Sequence, residues 1–275
     1  MKFQNTIKDL NKNGFSIIKN CLNKNYCKKL INSLEEICSK NENKKFIEVI
    51  NGQLIVRDLI FRNFKIFSKI IEFPIIMKIL EKVFRDEFII DNILASNSII
   101  RKKNENESRI HMDGHLPVKQ FKNTTDMVAI ICLNDFKKKN GSTNVWPGSH
   151  LSGIKINDDQ KKNNKYKKKF KSLEAEAGSI IFIPGQTWHQ IGKNISGDKR
   201  WAIIIHYKLW WIKPGLNYSL CGKKIFNSLN NRQKKLFGFT SIVPRINLTN
   251  MSRINSKTKR KVQSVPKNYQ RAIAY

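Results

Sequence analysis

The chain has 275 residues, with 52 Lys plus Arg against 21 Asp plus Glu and a formal net charge of +31. Hydrophobic residues make up 40% of it, enough for a full-sized core, which excludes general disorder. No apolar run approaches the roughly 18 residues that a membrane-spanning helix needs, and the opening MKFQNTIKDLNKNG lacks the apolar stretch of a secretory signal, so a cytoplasmic location is expected.

The first third reads as mixed and partly helical. Gly14 to Ile18 (GFSII) is a short strand with its turn signal in front. Between Asn25 and Lys40, Tyr26, Leu30, Leu34, Ile37 and Cys38 recur at helical spacing. Pro74 is placed as the first residue of a second helix, PIIMKILEKVF, where its missing N–H costs nothing. Phe88 to Arg101 is β-branched and partly alternating, and reads as a strand. From there to about residue 210, short β-rich runs are separated by Asn-Gly and Pro-Gly turns: Met127–Leu133, Asn144–Trp146, Ser179–Pro184 and Trp201–Leu209. Many short strands punctuated in this way point to a sandwich or jelly roll. Residues 1–244 are expected to form one domain with a helical N-terminal part, and 245–275 a polar, basic tail.

The charge is unevenly placed. No acidic residue follows Asp198, and a second basic stretch runs from Lys155 to Lys171. Richness in Lys, Asn and Ile is also what A/T-rich codons produce, and no finger, RNP-like or helix-turn-helix motif accompanies the charge. The five cysteines, Cys21, Cys27, Cys38, Cys132 and Cys221, are odd in number and contain no C-x-x-C, so they read as reduced thiols.

Chemistry is concentrated in two segments. His111 and Asp113 form an H-x-D pair; on a strand these side chains leave from the same face. In AGSIIFIPGQTWHQIGKNISGDKRW an apolar strand ends at Pro-Gly, His189 follows, and a polar loop leads to a second strand starting near Arg200. If the two strands were antiparallel neighbours, Arg200 would return close to His189. Two His and one carboxylate inside a β-barrel form the facial triad of non-haem Fe(II) oxygenases, which leaves positions open for reactants. An Arg nearby suits a carboxylate-bearing cosubstrate, which it can grip bidentately.

These stretches, His111-Met-Asp113, NGSTNVWPGSH from Asn140 to His150, and Ala177 to Arg200 with the following WAIIIHY, resemble the phytanoyl-CoA dioxygenase family of Fe(II)- and 2-oxoglutarate-dependent oxygenases. The resemblance implies a mainly β fold with flanking helices around a double-stranded β-helix, or jelly-roll, core. It implies that His111, Asp113 and His189 bind iron and that Arg200 holds the distal carboxylate of 2-oxoglutarate. The implied reaction takes O2 and a small organic substrate, hydroxylates the substrate, and releases succinate and CO2. Some related halogenases replace the carboxylate ligand by a small residue, so Asp113 argues for hydroxylation. The alternative is a catalytically silent jelly roll that binds a polyanion such as nucleic acid through its basic loop and tail.

The remaining candidates divide as follows. His115 would share the face of Asp113 and line the pocket, His150 is expected to make a structural hydrogen bond, and His206 reads as a core histidine. Ala129 is the expected counterpart of a residue that relatives place beside 2-oxoglutarate. Asn97, Arg101 and Lys103 are candidate polar groups ahead of H-x-D, equally explained as a solvated strand end. Trp188 reads as core, or as a pocket wall beside His189. P-loop, dinucleotide-fold, nucleophile-elbow and zincin motifs are absent.

Overall fold

The computed structural model describes residues 2–102, 108–114, 124–152 and 169–239. Lys103, His115, most of the Lys155–Lys171 stretch, the 245–275 tail and the boundary expected at 244 lie outside the described residues.

Helix α1 (Lys2–Asn13) leads into strand β1 (Ser16–Ile18) and helix α2 (Lys24–Ser39). Asn23 caps α2 by accepting the Tyr26 N–H at 2.7 Å, and the helix buries Cys27, Leu30, Leu34 and Ile37, one stripe at i, i+3, i+4 spacing. Strands β2 (Ile47–Ile50) and β3 (Gln53–Arg57) form a hairpin. Its Asn51-Gly52 turn holds both residues at positive φ, 52° and 76°, the conformation for which Asn-Gly is preferred. Short helices α3 (Leu59–Arg62) and α4 (Phe64–Phe67) precede α5 (Pro74–Phe84), which has Pro74 in its first turn as expected. Strands β4 (Phe88–Ser98), β5 (Asp126–Cys132), β6 (Thr143–Val145), β7 (Lys171–Ser172), β8 (Ile180–Pro184), β9 (His189–Ile191) and β10 (Trp201–Leu209) follow, then helices α6 (Lys223–Ser228) and α7 (Asn231–Leu236).

All pairings between these strands are antiparallel. They build a seven-stranded sheet, β1-β8-β5-β10-β4-β3-β2, and a three-stranded sheet, β7-β6-β9. One expectation is corrected here. β8 and β10 are not neighbours, because β5 lies between them, and His189 belongs to the smaller sheet. Arg200 and His189 therefore come from different sheets.

Alternation along β10 shows how the core is divided. Ile203, Ile205 and Tyr207 pack into the large cluster shared with α2 and α5, and the Tyr207 hydroxyl donates to the Ile71 carbonyl at 2.8 Å. Ala202 and Ile204 point the other way, into a second cluster with Val128, Ile130, Cys132, Ile181 and Ile183 of the large sheet and Val145 of the small one. A strand buried on both faces reads as a near-continuous apolar run. The even-numbered face of β10 and the matching face of β5 look into the space between the sheets.

Candidate metal centre

His111 and His189 face each other in an antiparallel bridge. The His111 N–H donates to the His189 carbonyl at 2.9 Å, and the His189 N–H to the His111 carbonyl at 2.8 Å. Directly opposed residues project to the same side, and the two ring centroids are 4.2 Å apart. Asp113, two residues beyond His111, shares that face. Its Oδ1 lies 3.6 Å from His111 Nε2 and its Oδ2 3.4 Å from His189 Nε2. One ligand atom from each of the three residues lies within 4.8 Å of the others. Bonds of about 2.1 Å to one ion, at right angles, would set neighbouring ligand atoms about 3 Å apart; the two carboxylate–imidazole spacings are already close to that, and the widest spacing of the group has to close on binding.

The backbone also selects the tautomer of each ring. His111 Nδ1 is 3.0 Å from the Arg109 carbonyl, and His189 Nδ1 is 2.9 Å from the Thr187 carbonyl. A carbonyl only accepts, so each Nδ1 carries the proton and each Nε2 lone pair is left bare toward Asp113. Protein packed around His111, followed by the charge on His189, holds the His111 pKa below its ordinary value. Both effects favour the neutral imidazole that a metal requires.

A close crossing of two turns holds Asp113 in place. The Gly114 N–H donates to the Gly185 carbonyl at 2.8 Å, so the residue after Asp113 is tied to the Pro184-Gly185 turn. A Cβ on Gly185 would lie 2.6 Å from the Cβ of Asp126 and 3.1 Å from the Gly114 nitrogen. Gly185→Ala is therefore expected to cost about 1–3 kcal/mol of stability, as overpacking does, and to weaken metal binding by displacing Asp113. Thermal melting and a metal titration of the same variant check both.

Arg200 is 3% exposed, and its position is set by its neighbours. Its N–H donates to Asn97 Oδ1 at 2.9 Å, and its guanidinium lies 4.5 Å from the centre of the Phe136 ring. Its Nε has no partner and its guanidinium no ion pair among the described residues. Burial depresses its pKa to about 10, with only the Cys132 thiol acting the other way. The group stays cationic at neutral pH, so among the described residues a buried positive charge lacks an anion, a costly arrangement unless something completes it. Asn97, a candidate for direct binding, instead anchors the Arg200 backbone.

Two further expectations change. His206 is not packed in the core: its Nδ1 lies 3.9 Å from Asp113 Oδ2, because it occupies the even-numbered face of β10. Ala129 lies on the wrong face of β5 to stand beside a ligand; it is fully buried in the helix-facing cluster, and Val128, Ile130 and Cys132 face inward. Trp188 belongs with Trp146, Ile110 and Phe170 in a separate cluster, as core packing required. His150 makes its expected structural contact, Nε2 to the Asn11 carbonyl at 3.1 Å. Arg101 packs its side chain over the Gly52 turn. A surface cavity of about 390 Å³ beside Asn43, Phe46 and Arg62 contains none of the site residues.

A family model for phytanoyl-CoA dioxygenase matches residues 10–202, more than half of the chain. The chain belongs to the phytanoyl-CoA dioxygenase family. Among curated relatives of this family member, the dioxygenase af480 of Aspergillus fumigatus is 24% identical over 172 residues, covering 62% of this chain and 53% of the relative. A phytanoyl-CoA dioxygenase of Arabidopsis thaliana is 35% identical over 85 residues, 28% of this chain and 30% of the relative. The chain thus spans about half or less of the curated relatives it matches. Its fold is shared by solved structures, among them these two. The non-heme alpha ketoglutarate dependent epimerase SnoN from nogalamycin biosynthesis superposes with a TM-score of 0.61 at 14% identity, covering 76% of this chain and 83% of that one. HygX from Streptomyces hygroscopicus, solved with nickel and 2-oxoglutarate bound, gives 0.62 at 10% identity, covering 76% and 88%. The expected jelly-roll core, mainly antiparallel sheet with helices, is the fold of this family member.

Proposed function

We propose that this chain is an Fe(II)- and 2-oxoglutarate-dependent dioxygenase that hydroxylates a small organic molecule. The observation that carries the reading is the convergence of two bare imidazole Nε2 atoms and one carboxylate, His111, His189 and Asp113, with both Nδ1 atoms committed to backbone carbonyls. Two nitrogens and one oxygen on one side of an ion leave its other positions open. The orphaned guanidinium of Arg200 supports the second half, since 2-oxoglutarate carries a distal carboxylate that a buried fork can bind. HygX, which shares the fold, was solved with 2-oxoglutarate and a metal.

When bound, Fe(II) and 2-oxoglutarate supply the oxidative chemistry, in which substrate C–H, 2-oxoglutarate and O2 give substrate C–OH, succinate and CO2. The chain contributes placement. His111, Asp113 and His189 hold the metal, the Arg109 and Thr187 carbonyls keep both rings in the binding tautomer, and Asn97 with Phe136 positions Arg200. Val128, Ile130 and Ile183 keep water from the space between the sheets. We further propose that residues 1–244 form this domain and 245–275 a basic tail.

Succinate production from 2-oxoglutarate with Fe(II), ascorbate and O2 tests the reading. Wild type is expected to exceed His189→Ala, whose rate should fall to background. A wild-type protein that gives no charge-transfer absorption with anaerobic Fe(II) and 2-oxoglutarate would overturn it.

A further inference from the structure

The inter-sheet space changes character along β10. Near Arg200 its walls are apolar, made by Cys132, Ile130, Ile181, Ala202 and Ile204, and Val128 opposite His206 marks the boundary. At the far end, beside Asp113, they are polar. His206 sits opposite Asn92 of β4, and Lys208 opposite Asp126 of β5; opposed residues share a face. A register shift between His206 and Tyr207 leaves Asp91 as an extra residue of β4. Such a bulge re-aims a side chain, and here Asp91 Oδ1 meets Lys208 Nζ at 2.9 Å and accepts the Gly215 N–H. Gln186, after the Pro184-Gly185 turn, donates to Thr125 Oγ1 at 3.1 Å.

This wall holds more hydrogen-bonding capacity than it uses. Asp126 is 8% exposed, yet its side chain takes one hydrogen bond, from the Thr125 hydroxyl at 2.7 Å. The lysine facing it gives its ion pair to Asp91 instead. Among the described residues the side chains of Asn92 and His206 have no hydrogen-bond partner, and Gln186 has one. Asp126 is buried, whereas Asn92, His206, Lys208 and Gln186 are half-buried; polar groups left open on the wall beside a candidate reaction centre are placed to meet a ligand that hydrogen-bonds with them.

We propose that the substrate is a neutral, hydroxyl-rich molecule, held against Asn92, His206, Lys208, Asp126 and Gln186. The inference rests on the triad being the reaction centre. An aliphatic chain would leave these groups unpaired. An anionic group would meet the carboxylate of Asp126, and a cationic one would meet the Lys208 ammonium that closes its pair with Asp91. With Lys208 already paired to Asp91, what the wall offers a ligand is mainly a mixture of hydrogen-bond donors and acceptors, which matches hydroxyls, since they both donate and accept.

Asp126 has a testable stability signature of its own. Burial raises its pKa above the ordinary carboxylate value, helped by the nearby Asp91 and Asp113 and opposed by the Thr125 hydroxyl and Lys208. A carboxyl that holds its proton more tightly when folded opposes folding once it ionises. Asp126→Asn is therefore expected to raise the melting temperature at pH 7, with the gain shrinking as the pH falls toward the unfolded carboxylate value of about 3.9. A carboxylate whose role is structural would give the opposite sign.

The proposal is tested by saturation-transfer NMR on the full chain loaded with Zn(II) and 2-oxoglutarate. The probes are inositols, hexoses and hexitols, each paired with a neutral deoxygenated partner: cyclohexanol, tetrahydropyran-2-methanol and hexan-1-ol, respectively. At least one polyol is expected to bind tenfold or more tightly than its partner, and Asp126→Asn and Lys208→Met should each reduce that binding by about tenfold or more, because a site built on hydrogen bonds discriminates strongly against what cannot complete them. If no polyol outbinds its partner, or if the preference survives in both variants, the proposal is overturned. The anaerobic Fe(II)/2-oxoglutarate absorption of the wild type is recorded alongside. Its absence would refute the dioxygenase reading, whereas its presence with no polyol preference would refute only the substrate class.

Discussion

Replacing Arg200 with methionine is expected to weaken 2-oxoglutarate binding by at least ~100-fold while Fe(II) binding stays close to wild type. The magnitude follows from loss of a buried, charge-assisted pair, about 3 kcal/mol, at about 1.4 kcal/mol per tenfold. Arg200→Lys should fall between, because an ammonium offers a point charge in place of a planar fork. Stability provides an independent readout. Without ligand, Arg200→Met should melt no lower than wild type, since it removes a buried cation without a counter-ion and forfeits only the contact with Phe136, worth about 0.5–2 kcal/mol. With 2-oxoglutarate at a hundred times its dissociation constant, wild type should gain about 2.7 kcal/mol and the variant almost none. Isothermal titration with Fe(II) and with 2-oxoglutarate, combined with melting curves, checks all three. Equal loss of metal and 2-oxoglutarate binding would show that Arg200 supports the fold instead.

Asp113→Ala should have the largest effect on the metal itself. It leaves two neutral imidazoles to hold a divalent cation and removes the negative charge between them. Loss of a supporting contact already costs about 10–100-fold in metal affinity, so loss of the ligand itself should exceed ~100-fold and bring succinate production to background. The fold should survive, because the Asp113 side chain is partly exposed and the backbone bridge between His111 and His189 does not depend on it. Asp113→Asn, which keeps the shape and discards the charge, should give an intermediate loss. Anaerobic Fe(II) titration followed by circular dichroism of the same samples measures both expectations. An alanine variant that binds iron like wild type would remove Asp113 from the metal site.

Most of the architecture was legible because β-branched runs and Pro-Gly or Asn-Gly turns are local signals. The expected strands at 88, 127, 144, 179 and 201 and the helices at 25 and 74 all appear, with ends shifted by a few residues. The order of strands within the sheet was not legible, since it depends on pairings between distant residues; hence the misplaced adjacency of β8 and β10. The grouping of His111, Asp113 and His189 could be read from H-x-D geometry and the resemblance, and the structure brings all three together. The face of His206 was misread by treating one His in an apolar strand as a core residue. A usable signal was present: in WAIIIHYKL the polar residues His206 and Lys208 fall two apart and in phase with Arg200. The placement of Asp91 had no such signal, because a β-bulge is set by the pairing of two strands and by neither sequence alone.

The alternation along β10 divides the labour of mutation. Positions 203, 205 and 207 lock the sheet to its helical backing, and positions 202, 204, 206 and 208 look toward the reacting groups. A library randomised only at 206 and 208 would sample new specificities while leaving the scaffold's cohesion in place, since Ala202 and Ile204 also pack the cluster between the sheets. Changes at the first set would test robustness and leave chemistry aside. One nine-residue strand therefore offers two nearly independent handles, a favourable starting point for redirecting the proposed activity in the laboratory.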